Sequence, residues 1–449
     1  MSPVLMTALP QELLHLIVDL IPNDDFATLH AVSQVCNRLR MLALPLAVRV
    51  VVLDPHGTGS QTVASSFLRL LQGSPDVALL VKSLCIVEGD TRRGRKSAAR
   101  RDRKGTTYAW LRQGGKALSQ ALPLLSSLRS LSLELRKSPS SSNSPTMHES
   151  EGIRWEWLSD AFKSALGHVA PQLEMLSCAG IRVVSALDLA DFISFVQATD
   201  PDVLKELKVA FETDSESRSL QPLGTLPTPS ILPHWRPKLT SLGFTDDPTH
   251  GYMLHFSLAS VDFASLSTLS LRIRYSDGIQ ELWAAHCPAN NGIRNLRLWL
   301  TDDSNFPLGL ATFFPRLTSL YVCGPLDMPA WGRLLQDFRA ISTLDSGNIT
   351  LETTLYRLRG VMRWFSAQAD IDDWERLVQL LRNEQRISES DSPAAAVQFS
   401  VNTSSRSRAV RSEIRKHCRT VESVLRRLGA SGDLICFKTS IGEIECTYL

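Results

Sequence analysis

The sequence contains no C-x-x-C pair, although eight cysteines are scattered between Cys36 and Cys446. Without paired spacing, the cysteines indicate neither a zinc site nor a disulfide framework. Several of them lie within apolar runs, as buried free thiols do. We therefore expect a reducing compartment, which is the cytoplasm or the nucleus.

Long apolar runs and an excess of one charge are missing too. The most hydrophobic stretch, Leu42–Leu53, is short and contains Pro45 and Arg49, whereas a membrane-spanning helix needs about 20 apolar residues. Met1–Pro10 has no basic residue before its apolar ones, so we expect no secretory signal and no membrane partner. Lysine and arginine number 48 against 46 acidic residues, which gives no general attraction to nucleic acid.

Local catalytic signatures are also absent, because the sequence has no G-x-x-x-x-G-K-[ST], H-E-x-x-H or G-x-S-x-G pattern. The only adjacent His/Cys pairs are His286-Cys287 and His417-Cys418, and neighbouring residues rarely point at one metal. Triads assembled from distant residues leave no local pattern and stay open. We predict a recognition protein and not an enzyme, with no catalytic residue, metal or cofactor.

The first fifty residues are rich in apolar positions at helical spacing. Pro10 precedes a first helix that Pro22 ends. Asn23 is the predicted cap of a second helix with apolar residues from Phe26 to Leu39, and a short third helix would run to Pro45. So small a unit buries little apolar surface by itself, yet the first helix is apolar on more than one face. The remaining apolar surface of the first helix must therefore be covered by another part. This is either a partner protein or the following domain, in which case the helices would form the cap of that domain.

Two motifs in this region carry a family resemblance. Leu9-Pro10-Gln11-Glu12-Leu13-Leu14, with Ile17, is followed by Val32-Ser33-Gln34-Val35-Cys36-Asn37-Arg38-Leu39. The pair resembles the LP-x-E-L-L opening and the V-S-x-V-C-[KR]-x-[WL] segment of the F-box family, over about residues 7–47, and the long Pro22–Thr28 stretch is similar to fungal members.

The F-box resemblance implies a partner, the Skp-family adaptor of a cullin–RING ubiquitin ligase. The first two helices would insert apolar residues into a groove between adaptor helices. By matching position, the residues that contact the adaptor, or form the small core presenting those contacts, are Leu9, Pro10, Leu13, Ile17, Val32, Val35, Cys36 and Leu39.

An L-x-x-L-x-L motif recurs in the middle of the chain. Its middle residues, including two weaker copies at the ends, are Leu84, Leu131, Leu176, Leu207, Leu242, Leu269, Leu296, Leu320 and Leu344. The successive steps are 47, 45, 31, 35, 27, 27, 24 and 24 residues, and the last four fit the period of leucine-rich repeats. Alternating apolar residues of each strand would point into a core that only stacked repeats can close.

These patterns predict an α/β fold in which a three-helix F-box at residues 1–50 precedes irregular leucine-rich repeats at 51–350. The repeats would form a solenoid, a curved parallel β-sheet with helices on its outer face. A conventional sheet of β-α units is the alternative. Residues 351–449 are predicted to be a mostly helical cap with a last strand at Leu434–Lys438. The other predicted helices are Trp155–Gly167, Ala186–Gln197, Ile279–Cys287, Ala330–Phe338, Leu355–Phe365, Trp374–Leu381 and Ala409–Leu428.

Two insertions interrupt the predicted repeats. Eight basic residues lie between Arg92 and Lys104, in a basic insertion at about 90–105, and a Ser/Pro-rich insertion covers about 136–152. A basic block is usually a solvated loop, and a nuclear-localisation signal is the alternative. Because no aromatic residue interrupts the block to stack on bases, we expect no nucleic-acid partner.

A second binding surface, in addition to the adaptor-binding helices, is predicted from strand residues that face away from the core. Alternation places Lys208, Arg272, Arg297, Trp299 and Tyr321 outward on neighbouring repeats. Exposed arginines and aromatics are favoured interface anchors, so we expect them to contact a protein substrate, at an acidic segment. The alternative is that Trp299 packs under a loop. The expected function is the substrate-recognition subunit of a Skp–cullin–F-box E3 ubiquitin ligase, and the alternative is a non-degradative protein-interaction scaffold, in the cytoplasm or in the nucleus.

Overall fold

The computed structural model of the 449-residue chain describes residues 9–22, 25–54, 60–88, 110–135, 153–183, 186–211, 235–245, 260–273, 283–284, 287–288, 291–300, 310–323, 349–354, 397–403, 423, 435–441 and 444–448. The chain divides into two compact units, Met1–Pro237 and Lys238–Leu449. The predicted basic and Ser/Pro-rich insertions lie outside the described residues, as do Asn23, Leu344 and most or all of the helices predicted after residue 270.

The first unit begins with three short helices, α1 (Gln11–Asp19), α2 (Phe26–Ser33) and α3 (Asn37–Ala47). Pro10 stands at the N-cap of α1, where its missing N–H costs nothing. The three helices enclose a small core of their own, made of Leu14, Val18, Leu29, Leu39 and Ala43.

The second helix is shorter than the sequence pattern predicts. Asp25 caps it by accepting a hydrogen bond from the Thr28 N–H at 3.1 Å. Apolar spacing suggested one helix reaching Leu39, but the helix stops at Ser33 and Cys36 adopts an extended conformation before α3 starts. The Ser33 hydroxyl donates to the His30 carbonyl at 2.6 Å, so the side chain uses an acceptor of the last turn.

A parallel sheet forms the body of the first unit. Its spatial order is β1, β2, β3, β5, β6, with β4 beside β5. The anchor leucines Leu84, Leu131, Leu176 and Leu207 are register neighbours across four of these strands. All four are buried, because alternate residues of each strand point into the core. The strands are β1 (Val50–Leu53), β2 (Ser83–Glu88), β3 (Ser130–Leu135), β4 (Ile153–Arg154), β5 (Met175–Arg182) and β6 (Glu206–Phe211).

Helices connect these strands and supply a second layer. Among them, α4 packs on α6 and α6 packs on α7. The predicted helix at Trp155–Gly167 is present as a 3₁₀ turn at Trp155–Trp157 followed by α7, which the Ser159 hydroxyl caps. The predicted helix at Ala186–Gln197 has the same bounds in the structure. The connecting helices are α4 (Ser60–Gly73), α5 (Pro75–Leu80), α6 (Trp110–Ala121), α7 (Asp160–Val169) and α8 (Ala186–Gln197).

The second unit repeats the parallel arrangement. Leu242, Leu269, Leu296 and Leu320 are buried register neighbours on β7 to β10. Asn291, which is fully buried before β9, accepts the Ile293 N–H at 3.2 Å and donates to the Pro288 carbonyl at 2.9 Å. The elements are β7 (Ser241–Thr245), β8 (Thr268–Ile273), β9 (Asn295–Leu300), α9 (Leu310–Phe313) and β10 (Ser319–Cys323).

Four further strands follow in the segment predicted to be a helical cap. In the second unit, β11 (Ile349–Thr354), β12 (Val397–Thr403) and β13 (Ile435–Ile441) continue the parallel pairing from β10. β14 (Ile444–Tyr448) then returns antiparallel to β13. The strand predicted at Leu434–Lys438 is therefore confirmed as part of β13, but it is not the last one, and β11, β12 and β14 are additional to the prediction.

The architecture confirms the coarse prediction of an α/β fold with a parallel sheet and helices. Within the described ranges, no helix is both long enough and apolar enough to cross a membrane.

Candidate functional site

The first helix is apolar on two different faces. Leu14 and Val18 point into the helical core and are almost completely buried. A second set of side chains at i, i+3, i+4 and i+7 spacing stays exposed, with exposed fractions of 45% for Leu13, 58% for Leu16, 38% for Ile17 and 83% for Leu20. We call this second set the outer stripe. A helix of a self-contained domain normally turns such a stripe toward its core.

The residues that match the family motif divide between the core and the surface. Leu39 belongs to the helical core, and Leu9, Val32 and Cys36 pack against that core while remaining half-buried. Surface positions are held by Pro10, Leu13, Ile17 and Val35, of which Val35 is 51% exposed. The structure thus separates residues that shape the unit from residues free to touch another molecule.

Three exposed apolar residues in this region are absent from the sequence-derived set. Leu16 and Leu20 complete the outer stripe, and Met41 on α3 is 77% exposed. The spacing of Leu13, Leu16, Ile17 and Leu20 is visible in the sequence, so a helical projection could have found the stripe. Nothing local marks Met41, whose exposure depends on how α3 packs on α2.

The predicted substrate residues of the second unit lie on adjacent strands. The Cα of Arg272 on β8 is the register partner of Trp299 on β9, and Arg297 on β9 is the partner of Tyr321 on β10. Neighbouring strands are about 4.8 Å apart, so the strand pairing gathers these four positions into one patch, the β8–β10 patch. Arg297 is exposed, whereas Arg272 and Tyr321 are half-buried.

The face of β7 to β10 that carries this patch holds no acidic residue. Besides the patch, its alternating positions are Ser241, Gly243, Thr245, Thr268, Ser270, Asn295, Ser319 and Cys323. Two arginines among hydroxyl and amide groups make a surface that attracts negative charge.

The fifth predicted substrate residue, Lys208, is placed differently. It lies on β6 in the first unit, and its Nζ is 3.3 Å from Glu206 Oε2, with both side chains largely exposed. An exposed pair of this kind is weak, but it offsets the charge of Lys208. Lys208 thus belongs to the first unit, whereas the β8–β10 patch belongs to the second.

Two ionisable side chains of the first unit, Glu88 and Cys178, are buried and do not belong to the outer stripe. Glu88 at the end of β2 is 2% exposed, and its carboxylate accepts the Leu111 N–H at 3.3 Å. Burial raises the pKa of Glu88 to about 7, and burial likewise raises the pKa of the Cys178 thiol to about 12. A thiol with so high a pKa is a poor nucleophile at neutral pH, which fits a packing role.

No protein-family model matches the sequence, and comparison with the curated proteins finds no match either.

Proposed function

We propose that the chain is an F-box protein, the substrate-recognition subunit of a Skp–cullin–F-box E3 ubiquitin ligase. The observation that carries the proposal is the outer stripe of α1, which stays exposed although the three helices already possess a core. Two residues of the stripe, Leu13 and Ile17, belong to the motif that resembles the F-box opening.

The stripe has the properties of a helix that inserts into an apolar groove. Its four side chains follow one line along α1, which is the arrangement of anchors in helix-in-groove recognition. Complete burial of a leucine or isoleucine side chain contributes roughly 1.5–3 kcal/mol, so an adaptor that covered the stripe would gain a substantial part of its affinity there. Val35 and Met41 supply further apolar surface on the same helical unit.

The parallel strands support the second half of the proposal, that the body is an irregular leucine-rich-repeat solenoid. Within each unit, every anchor leucine that the structure describes is the register neighbour of the next, as stacked repeats require. The patch of Arg272, Arg297, Trp299 and Tyr321 is the proposed substrate surface, because its arginines and aromatics suit an acidic protein segment.

In this proposal the chain performs no chemistry. It would hold a target close to a ubiquitin-charged enzyme and so raise the effective concentration of the target's lysines. The adaptor would bridge the helical unit to the cullin and its RING partner, while the repeats select the target.

Reconstitution with a recombinant Skp-family adaptor tests the proposal. The full chain and the adaptor, co-expressed and passed through a sizing column, should elute as one stoichiometric complex. Separate elution at micromolar concentrations would contradict the F-box assignment. A ubiquitination assay with a captured target then separates a ligase subunit from a non-degradative scaffold, because only the former yields target conjugates that depend on the adaptor.

A further inference from the structure

A polar cluster in the first unit lies where β4 ends beside β5. Arg154 and Arg182 are Cα register partners at the carboxyl ends of these two strands. Glu156 lies two residues after Arg154 and interacts electrostatically with both arginines. It also interacts with Asp188, which lies in the first turn of α8. Two arginines and two acidic residues therefore share one edge of the sheet. The carboxyl edge is where open α/β sheets bind ligands.

The hydrogen bonds inside this cluster are incomplete. Among the described residues, neither Arg154 Nε nor Glu156 Oε2 has a partner, although both atoms are buried. The nearest approach between the two side chains is 3.9 Å, from an Arg154 terminal nitrogen (Nη1) to Glu156 Oε1, which is too long for a hydrogen bond. Buried polar atoms are nearly always bonded, so the open donor of Arg154 and the open acceptor of Glu156 mark this cluster as a candidate binding site.

The guanidinium of Arg154 packs over an aromatic ring. Its central carbon lies 4.3 Å from the ring centroid of Trp157, within the range of a cation–π contact. Arg154 and Glu156 keep about a quarter of their side-chain surface exposed, 25% and 26%. Arg154 therefore combines an open but buried Nε donor with other side-chain surface that solvent reaches.

We propose that Arg154, in the field of Arg182, binds an oxyanion, a carboxylate or phosphate group, at the carboxyl edge of β4 and β5. The planar fork of an arginine suits two oxygens of such a group, and Trp157 packs against it. Arg182 and Asp188 already have partners of their own, so Arg154 is the principal contact and Arg182 adds charge. The site is independent of the proposed docking of α1.

Glu156 is the group that competes with the ligand. Its carboxylate faces Arg154, Arg182 and Asp188, and burial is the main cause that raises its pKa, with Asp188 adding to the effect. Binding of an anion would favour the neutral form of Glu156, because two negative groups beside one another repel. Oxyanion binding is thus expected to take up a proton and to strengthen as the pH falls.

Equilibrium dialysis of the full chain against radiolabelled sulfate tests the site. Sulfate keeps a constant charge near neutrality, so any pH dependence belongs to the protein, and sodium chloride keeps the ionic strength constant. The wild-type chain should bind one sulfate saturably, and its affinity should rise as the pH is lowered toward 4.5, the ordinary pKa of a glutamate carboxyl. Competition with inorganic phosphate and with acetate distinguishes the two sources of the oxyanion.

Substitutions give effects of opposite sign. Arg154→Gln should weaken sulfate binding at least about tenfold, with Arg154→Lys in between. Glu156→Gln should tighten sulfate binding at about pH 7.5 and remove its pH dependence. The matched control is Arg129→Gln, because Arg129 is an exposed arginine 3.8 Å from Glu174.

Tighter binding by Glu156→Gln cannot result from misfolding, so the proposal remains testable even if Arg154→Gln is unstable. Two outcomes would overturn the proposal. One is the absence of saturable binding in both the wild type and Glu156→Gln. The other is an equal loss of binding in Arg129→Gln and in Arg154→Gln.

Discussion

Leu13 and Leu14 are consecutive residues of α1, yet Leu14 is fully buried in the helical core while Leu13 is 45% exposed. Two leucines that differ by one position along a helix therefore have different consequences for the protein. Leu14 should determine the stability of the helical unit, and Leu13 should determine what that unit binds.

The stability half of this contrast is directly measurable. Leu14→Ala should destabilise the helical unit by about 2–5 kcal/mol, because it leaves a cavity in a core of few residues. Leu13→Ala should change stability by less than about 0.5 kcal/mol, as surface substitutions do. Hydrogen exchange of the α1 to α3 amides in the full chain reports both values, and equal protection losses in the two variants would contradict the assigned faces.

Glu88 predicts a particular dependence of stability on pH. Its pKa is raised from 4.5 to about 7 in the folded chain. The neutral carboxyl of Glu88 therefore stabilises the folded chain fully below about pH 4.5, and this stabilisation is lost as the pH rises through about 7. Glu88→Gln keeps an acceptor for the Leu111 N–H and carries no charge, so it should flatten this decline by up to about 3 kcal/mol.

Chemical unfolding of the first unit across this pH range, followed by hydrogen exchange in α6, measures the effect of Glu88→Gln. Glu174→Gln is the control, because Glu174 is an exposed acid whose pKa is lowered, mainly by its hydrogen bond with Lys205. That control should retain the decline above pH 4.5. A Glu88→Gln variant with the same pH profile as the wild type would show that the carboxylate is not buried as described.

Asp191 joins three elements of the first unit through one carboxylate oxygen. Its Oδ2 accepts from Trp155 Nε1 at 3.0 Å and from Lys163 Nζ at 2.7 Å. Asp191→Asn can still accept from the indole and should lose less than about 1 kcal/mol, since the Lys163 pair is partly exposed. Asp191→Ala leaves a buried indole N–H without its partner and should cost about 1–3 kcal/mol. Tryptophan fluorescence during guanidinium unfolding compares the two variants, and equal costs would contradict the indole bond.

The β8–β10 patch predicts a loss of substrate capture without a loss of adaptor binding. Arg272→Glu combined with Arg297→Glu reverses the charge of the patch. Proteins that become cross-linked to the wild-type chain should therefore no longer be cross-linked to this variant. The matched control is Arg294→Glu combined with Arg316→Glu, since both arginines are exposed and precede their strands. Quantitative mass spectrometry of cross-linked partners compares the variants. Equal capture of partners by the patch variant and by the control would contradict the proposed role of the patch in substrate binding.

Much of the sheet could be predicted because its register depends on residues that the sequence displays. The anchor leucines recur with a period, and the structure makes neighbours of eight of them within the two units. The strands β11 and β12 were not predicted because neither carries the full leucine motif: ITLETT has a single leucine and VQFSVNT alternates valine and phenylalanine. A period-2 search that accepts any β-branched or aromatic residue would have found β12.

The candidate sites were harder to predict for a physical reason. The spacing of Leu13, Leu14, Ile17 and Val18 shows that α1 has a broad apolar arc, but only the packing of α2 and α3 decides which part of the arc is covered. The Arg154–Glu156 cluster left no sequence signal, because Arg182 reaches it through strand pairing across 28 residues of chain.

The most direct test of the account measures adaptor affinity for two matched double variants of the full chain. Leu13→Asp with Ile17→Asp places two charges on the outer stripe, and Gln11→Asp with His15→Asp places two charges at the same spacing on exposed polar positions of α1. Isothermal titration with a Skp-family adaptor should show at least about a hundredfold weaker binding for the first variant and wild-type affinity for the second. Wild-type affinity of the stripe variant, with its helices still protected from hydrogen exchange, would contradict the central claim that a partner protein covers this stripe.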